Sequence, residues 1–136
     1  MHKEITFVSD FYVEHANGGA ELTTEALLSN SPYKIKKILS KNLTLQYAMQ
    51  KKDSFWIFGN FSHLKDEVKM YFAKNLSYSV IEYDYKYCKF RSDDLHKKMS
   101  GYCDCESTNV GKINSIFLSK SKLIWWMSEN QRNHYF

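Results

Sequence analysis

Short apolar runs alternate with helix-length stretches along the whole chain, and this alternation limits the fold more than any other feature. Five runs have strand length: Ile5–Ser9, Tyr33–Leu39, Phe55–Phe58, Tyr78–Tyr83 and Leu123–Met127. Between them lie helix-like segments at Ala20–Ser29, Asn42–Lys51, His63–Asn75 and Val110–Ser119, and a last helix opens after Ser128. Strand, helix and strand in succession form the unit of a parallel sheet with helices packed over it. The unbroken run Phe55-Trp56-Ile57-Phe58 predicts a strand buried on both faces. Right-handed crossovers then leave few topologies. The expected fold is α/β: a Rossmann-like, doubly wound parallel sheet of about five strands, in the order 3-2-1-4-5, with helices on both faces. At 136 residues the chain has the size of one domain, 1–136, with enough length to bury a core.

The first strand runs through a loop into Gly18-Gly19 and then into a helix that carries Glu21. That order brings backbone N–H groups and a helix N-terminus to the carboxyl edge of the sheet, where a diphosphate or another anion fits. A glycine pair also permits positive φ and close approach of a ligand. The alternative is a strand-to-helix turn with no ligand. Neither the Walker phosphate loop nor the dinucleotide G-x-G-x-x-G pattern occurs.

Charge excludes less than it suggests. The net charge is +4, from nineteen basic and fifteen acidic residues, and only Arg91 and Arg132 are arginine. Lysines scattered among acids speak against a nucleic-acid face, which gathers its cations on one surface. There is no apolar stretch of membrane-spanning length and no export signal, so reduced thiols in a cytoplasmic setting are expected.

All three cysteines fall in the long polar connection 85–108. With His96 they form Cys88-x7-His96-x6-Cys103-x-Cys105. Three thiols and an imidazole are a donor set of structural tetrahedral zinc, and a metal explains how a long polar segment stays ordered. The alternative is three free thiols and a surface histidine. Glu82, Asp84 and Arg91 lie at or just beyond the fourth strand's end, interleaved with Tyr83, Tyr85, Tyr87 and Phe90. Carboxylates among aromatic platforms suit a sugar. The alternative is a solvated loop in which Arg91 pairs with Asp93 or Asp94. His15 is a conceivable base, though a loop histidine is more often simply exposed. Trp125 and Trp126 point to opposite faces of their strand, both as packing residues.

Ile5–Leu28 resembles the opening of retaining, family 4-like glycosyltransferases of the GT-B fold. The shared features are a strand ending like Val8-Ser9-Asp10-Phe11, a loop with Gly18-Gly19, and Ala20-Glu21 on the following helix. Leu123–Gln131, with Ile124-Trp125-Trp126-Met127-Ser128-Glu129, is similar to the last strand of the same N-terminal half-domain. The resemblance implies the acceptor-side half of such an enzyme, with Gly18 and Gly19 approaching the diphosphate of a sugar nucleotide and Glu21 in the place of the family's acidic residue. It implies a glycan or small-molecule acceptor and a second, donor-holding domain, without which the chain is expected to be inactive. It assigns no catalytic residue. A chain of this kind is expected to continue beyond Tyr135-Phe136, and a homodimer through the open domain face is a further expectation. The rival reading is a stand-alone Rossmann-like, zinc-containing module that binds a phosphorylated ligand or a protein partner.

Overall fold

The five strands form one sheet in the computed structural model, which describes residues 4–135. Met1 to Lys3 and Phe136, which entered the expectations about the chain's two ends, lie outside it. The strands are β1 (Ile5–Ser9), β2 (Ile35–Leu39), β3 (Phe55–Phe58), β4 (Tyr78–Glu82) and β5 (Ile124–Trp126). All neighbouring pairs are parallel. The fold is α/β and Rossmann-like. None of the described helices is long and apolar enough to cross a membrane.

The strand order is β2-β1-β3-β4-β5 rather than 3-2-1-4-5. Composition explains the correction. β2 carries Lys36 and Lys37, both exposed, and charged side chains are tolerated at a sheet edge. β3 is the most apolar segment and takes the centre beside β1, where Trp56 and Phe58 are fully buried. The chain leaves β1 toward β2 on one side and β3 toward β4 on the other, so the carboxyl ends of β1 and β3 flank the topological switch point where ligands bind in open α/β sheets.

The described residues hold six α-helices, five between strands and the last after β5: α1 (Gly19–Ser29), α2 (Leu45–Gln50), α3 (Asp66–Asn75), α4 (Asp93–Ser100), α5 (Asn109–Ser119) and α6 (Glu129–Tyr135). The period-2 alternation of strands assigns their side chains to two faces. Val8, Trp56, Phe58, Tyr78 and Val80 pack with Ala48 of α2, Val68 and Phe72 of α3, and Phe117 and Leu118 of α5. Phe7, Ile57 and Ile81 face the other way, where Leu28 of α1 packs with them. That second face is thinly covered. Phe55 is 40% exposed and Trp125 43%, so β3 is not buried on both faces and Trp125 is not a core residue. Trp126 instead packs on Tyr135.

Phe58 is the hub of the larger core. Its ring meets Phe72, Tyr78 and Phe117 edge-on at centroid distances of 5.0, 5.8 and 5.1 Å. Such contacts add to the burial of large aromatic area. Phe58→Ala should therefore cost about 3–5 kcal/mol in denaturant unfolding; a loss below about 1 kcal/mol would place the core elsewhere.

Candidate metal centre and charged sheet edge

Asp10 follows β1 directly and is buried at the switch point. Its carboxylate accepts hydrogen bonds from the Ser62 backbone N–H at 2.8 Å, the Ser62 hydroxyl at 2.6 Å, the His63 N–H at 3.0 Å and the Ser40 hydroxyl. Arg91 adds a charged contact at 3.2 Å. Burial opposes the charge on Asp10, but these donors outweigh it and hold the carboxyl below its ordinary 3.8. Ser62 is thereby committed to Asp10. α3 begins at Asp66 rather than at His63, with Lys65 at its N-cap.

The end of β4 carries a second buried charge cluster. Glu82 is fully buried and Lys86 is 2% exposed. The Lys86 amine donates to Glu82, to Asp84 at 3.0 Å and to the Asn60 amide oxygen at 3.1 Å, so all three donors are used. Desolvation raises the Glu82 carboxyl, and the Lys86 ammonium and the Tyr135 hydroxyl at 2.7 Å oppose that rise. Asp84 also receives the Arg91 Nε at 3.4 Å. The three residues singled out beyond β4 thus belong to one network: Asp10–Arg91–Asp84–Lys86–Glu82. Arg91 pairs with Asp10 and Asp84, not with Asp93 or Asp94. Asp93 instead binds His134 at 2.8 Å and Lys97 at 3.4 Å.

The connection 85–108 is folded around its sulfur atoms. Cys88 lies in a tight turn: its N–H donates to the Tyr85 carbonyl at 3.3 Å, and its own carbonyl accepts from the Arg91 N–H at 2.8 Å. Arg91 closes the turn with φ 58°, the one non-glycine residue with positive φ among those described. Ser92 then caps α4 by accepting from the Leu95 N–H. α4 carries His96 inward, only 5% exposed, and Gly101 ends it in the left-handed region, φ 84°. The chain returns through Cys103 to a 3-10 turn, Cys105–Ser107, and Thr108 caps α5. Gly111 makes this return possible, because a Cβ there would collide with the Cys105 carbonyl oxygen.

The result is a compact donor set. One ligand atom from each of Cys88, His96, Cys103 and Cys105 lies within 4.8 Å of all the others. The His96 Nδ1 is 3.6 Å from the Cys88 sulfur and 3.4 Å from the Cys105 sulfur. Zinc–sulfur and zinc–nitrogen bonds of ordinary length give a tetrahedral S–N edge of about 3.6 Å. The Lys89 N–H points at the Cys105 sulfur at 3.5 Å, a contact that orients a ligating thiolate. Burial pushes the Cys103 thiol up to about 11; the Cys105 backbone N–H opposes that rise, and the Cys88 and Cys105 thiols add to it.

The glycine loop has a different character. Gly18 has φ −75° and forms the N-cap of α1, so the pair does not use positive φ. The Glu21 carboxylate folds back over Gly18, 2.5 Å from where a Cβ would be. An acid therefore already sits at the N-terminal end of α1. His15 packs its ring on Tyr12 and lines a separate cavity of about 290 Å³ with Glu14 and Lys37.

No family model, curated protein or solved structure matches the chain. Sequence reasoning missed Asp10, Ser62, Lys86 and Tyr135 as members of the charged edge. The available signal was position: Asp10 directly ends an apolar strand, and Lys86 follows Asp84 by two residues.

The depressed Asp10 gives a sign for acid sensitivity. Its ionised form is favoured in the folded state, so its contribution is complete above pH 3.8 and disappears as pH falls through the lower folded value. Asp10→Asn should cost about 2–3 kcal/mol at neutral pH. Its stability should also fall less steeply than the parent's below about pH 4. Parallel acid slopes in urea titrations would remove Asp10 from this role.

Proposed function

We propose that the chain is a Rossmann-like ligand-binding domain whose loop is ordered by structural zinc, working as the acceptor-side half of a GT-B-type glycosyltransferase. The observation that carries this reading is the Cys88–His96–Cys103–Cys105 cluster, whose Cys88 lies three residues before an arginine that reaches the switch point. Four protein ligands fill a tetrahedral shell and leave no position for a reactive water, so the zinc is structural rather than catalytic. It also relieves the repulsion of three clustered sulfurs, which can ionise together only beside a cation.

Zinc fixes Cys88, the turn fixes Arg91 relative to Cys88, and Arg91 spans Asp10 and Asp84. Arg91 is partly exposed and has N–H donors beyond the two used in those pairs. Hydroxyl groups of a sugar fit between these donors and the Asp84 carboxylate, with Tyr83 and Phe90 nearby in the chain as platforms. The sugar nucleotide is held mainly by a donor domain in this scheme, and the glycine loop makes a weak contribution because Glu21 opposes a diphosphate. The sequence resemblance of Ile5–Leu28 supplies the transferase part of the reading.

Amide NMR on the zinc-loaded chain tests both parts. Nucleotide sugars should give weak, saturable shifts in residues 18–21 and 84–91, and Arg91→Ala should remove those in 84–91. A strong zinc chelator should collapse the resonances of 85–108 while leaving β1, β3 and β4 folded. Ligand shifts confined to other surfaces would overturn the binding part. Loop resonances indifferent to the chelator would overturn the zinc part.

A further inference from the structure

A cavity of about 230 Å³ lies on the α3–α5 side of the sheet edge, away from the glycine loop. Four cationic side chains line it: Lys69 of α3, Lys86, Lys89 and Arg91. Asp66 is the only acid in the lining, and its side chain is 66% exposed.

The four cations are not equally satisfied. Lys86 is saturated by Glu82, Asp84 and Asn60, and Arg91 is turned partly toward Asp10 and Asp84. Lys69 differs. It is 6% exposed, and its amine donates to the Asn114 amide oxygen at 2.9 Å. Its nearest acid is Asp66 at 3.6 Å. The Lys69 and Lys86 amines both sit about the Phe61 ring, 5.5 and 5.2 Å from its centroid. A ring quadrupole is weak compensation for two buried ammonium groups. Among the described residues Lys89 makes no ion pair and lies against the Phe90 ring. A buried ammonium held by one neutral acceptor and one largely exposed acid leaves net positive charge in the cavity, which a bound anion would offset.

We propose that this cavity binds a phosphate group. The donors come from two walls of the cavity, Lys69 from α3 and Lys89 with Arg91 from the turn that follows β4. Three cationic donors on two walls of one cavity suit a tetrahedral dianion better than a planar carboxylate, which a single guanidinium fork would match. Phe61, Leu64 and Val110 line the remaining space and accommodate an apolar or ring portion of a phosphate ester. The site goes beyond the glycosyltransferase reading and does not require it, because the cavity exists whether or not the chain participates in sugar transfer. Combined with that reading, it makes the acceptor a phosphorylated one.

Calorimetric titration of the zinc-loaded chain with inorganic phosphate and with a hexose monophosphate tests the proposal. Phosphate should bind saturably and more weakly as sodium chloride is raised. Lys89→Ala should weaken it about 3- to 10-fold, a change of roughly one charge contact. Lys69→Met should abolish binding. If that variant fails to fold, the surface variant Lys89→Glu carries the same test and should also eliminate binding. Tighter binding of the hexose monophosphate identifies an ester as the natural occupant; equal binding identifies the free ion; either supports the site. No saturation by either probe, or binding that Lys89→Ala and Lys89→Glu leave unchanged, overturns it. This failure is separable from failure of the transferase reading, which is read from nucleotide-sugar shifts at residues 18–21, none of which lines this cavity.

Discussion

The turn from Tyr85 to Arg91 is the constraint on which the chemistry of this molecule depends. It forces Arg91 into the left-handed region, where a non-glycine residue costs about 1–2 kcal/mol. Backbone hydrogen bonds between Tyr85, Cys88 and Arg91 hold the turn closed. What the strain achieves is placement: the same few residues present Cys88 to the sulfur cluster, Lys86 to Glu82 and Arg91 to Asp10. A straight continuation of β4 would separate all three.

The charged edge then works as a clasp between strands. Asp10 leaves β1, Asn60 and Ser62 follow β3, and Glu82 ends β4, so the network ties together the carboxyl ends of the three central strands. Buried ion pairs of this kind contribute little net stability, while removing one partner is costly. The arrangement suits a site that must be rigid and remain polar. Tyr135 joins it from α6, its hydroxyl donating to Glu82 and accepting from the Lys86 N–H at 2.7 Å.

Much of this was legible in the sequence, for physical reasons that differ by feature. Strand and helix positions follow from local periodicity, so all five strands form within a few residues of the expected spans. Strand order depends on which segments tolerate an edge, and Lys36 and Lys37 of β2 carry that information. The Cys/His set was readable because its members share one loop. Asp10 and Arg91, or Glu82 and Tyr135, are separated by 81 and 53 positions, and no local pattern pairs them. Ser62 shows the same limit from the other side. It has the composition of a helix cap, but a buried carboxylate from another strand claims both of its donors. The glycine pair that first suggested an anion loop instead holds the turned-back carboxylate of Glu21.

The proposed metal, bound by three sulfurs and one nitrogen, would order the loop that builds the charged edge. X-ray absorption at the zinc edge on protein purified without chelator tests it directly. The expected result is stoichiometric zinc with three sulfur neighbours at about 2.3 Å and one nitrogen at about 2.0–2.1 Å. A zinc-free protein with a native loop, or a first shell of oxygen and nitrogen alone, would contradict it.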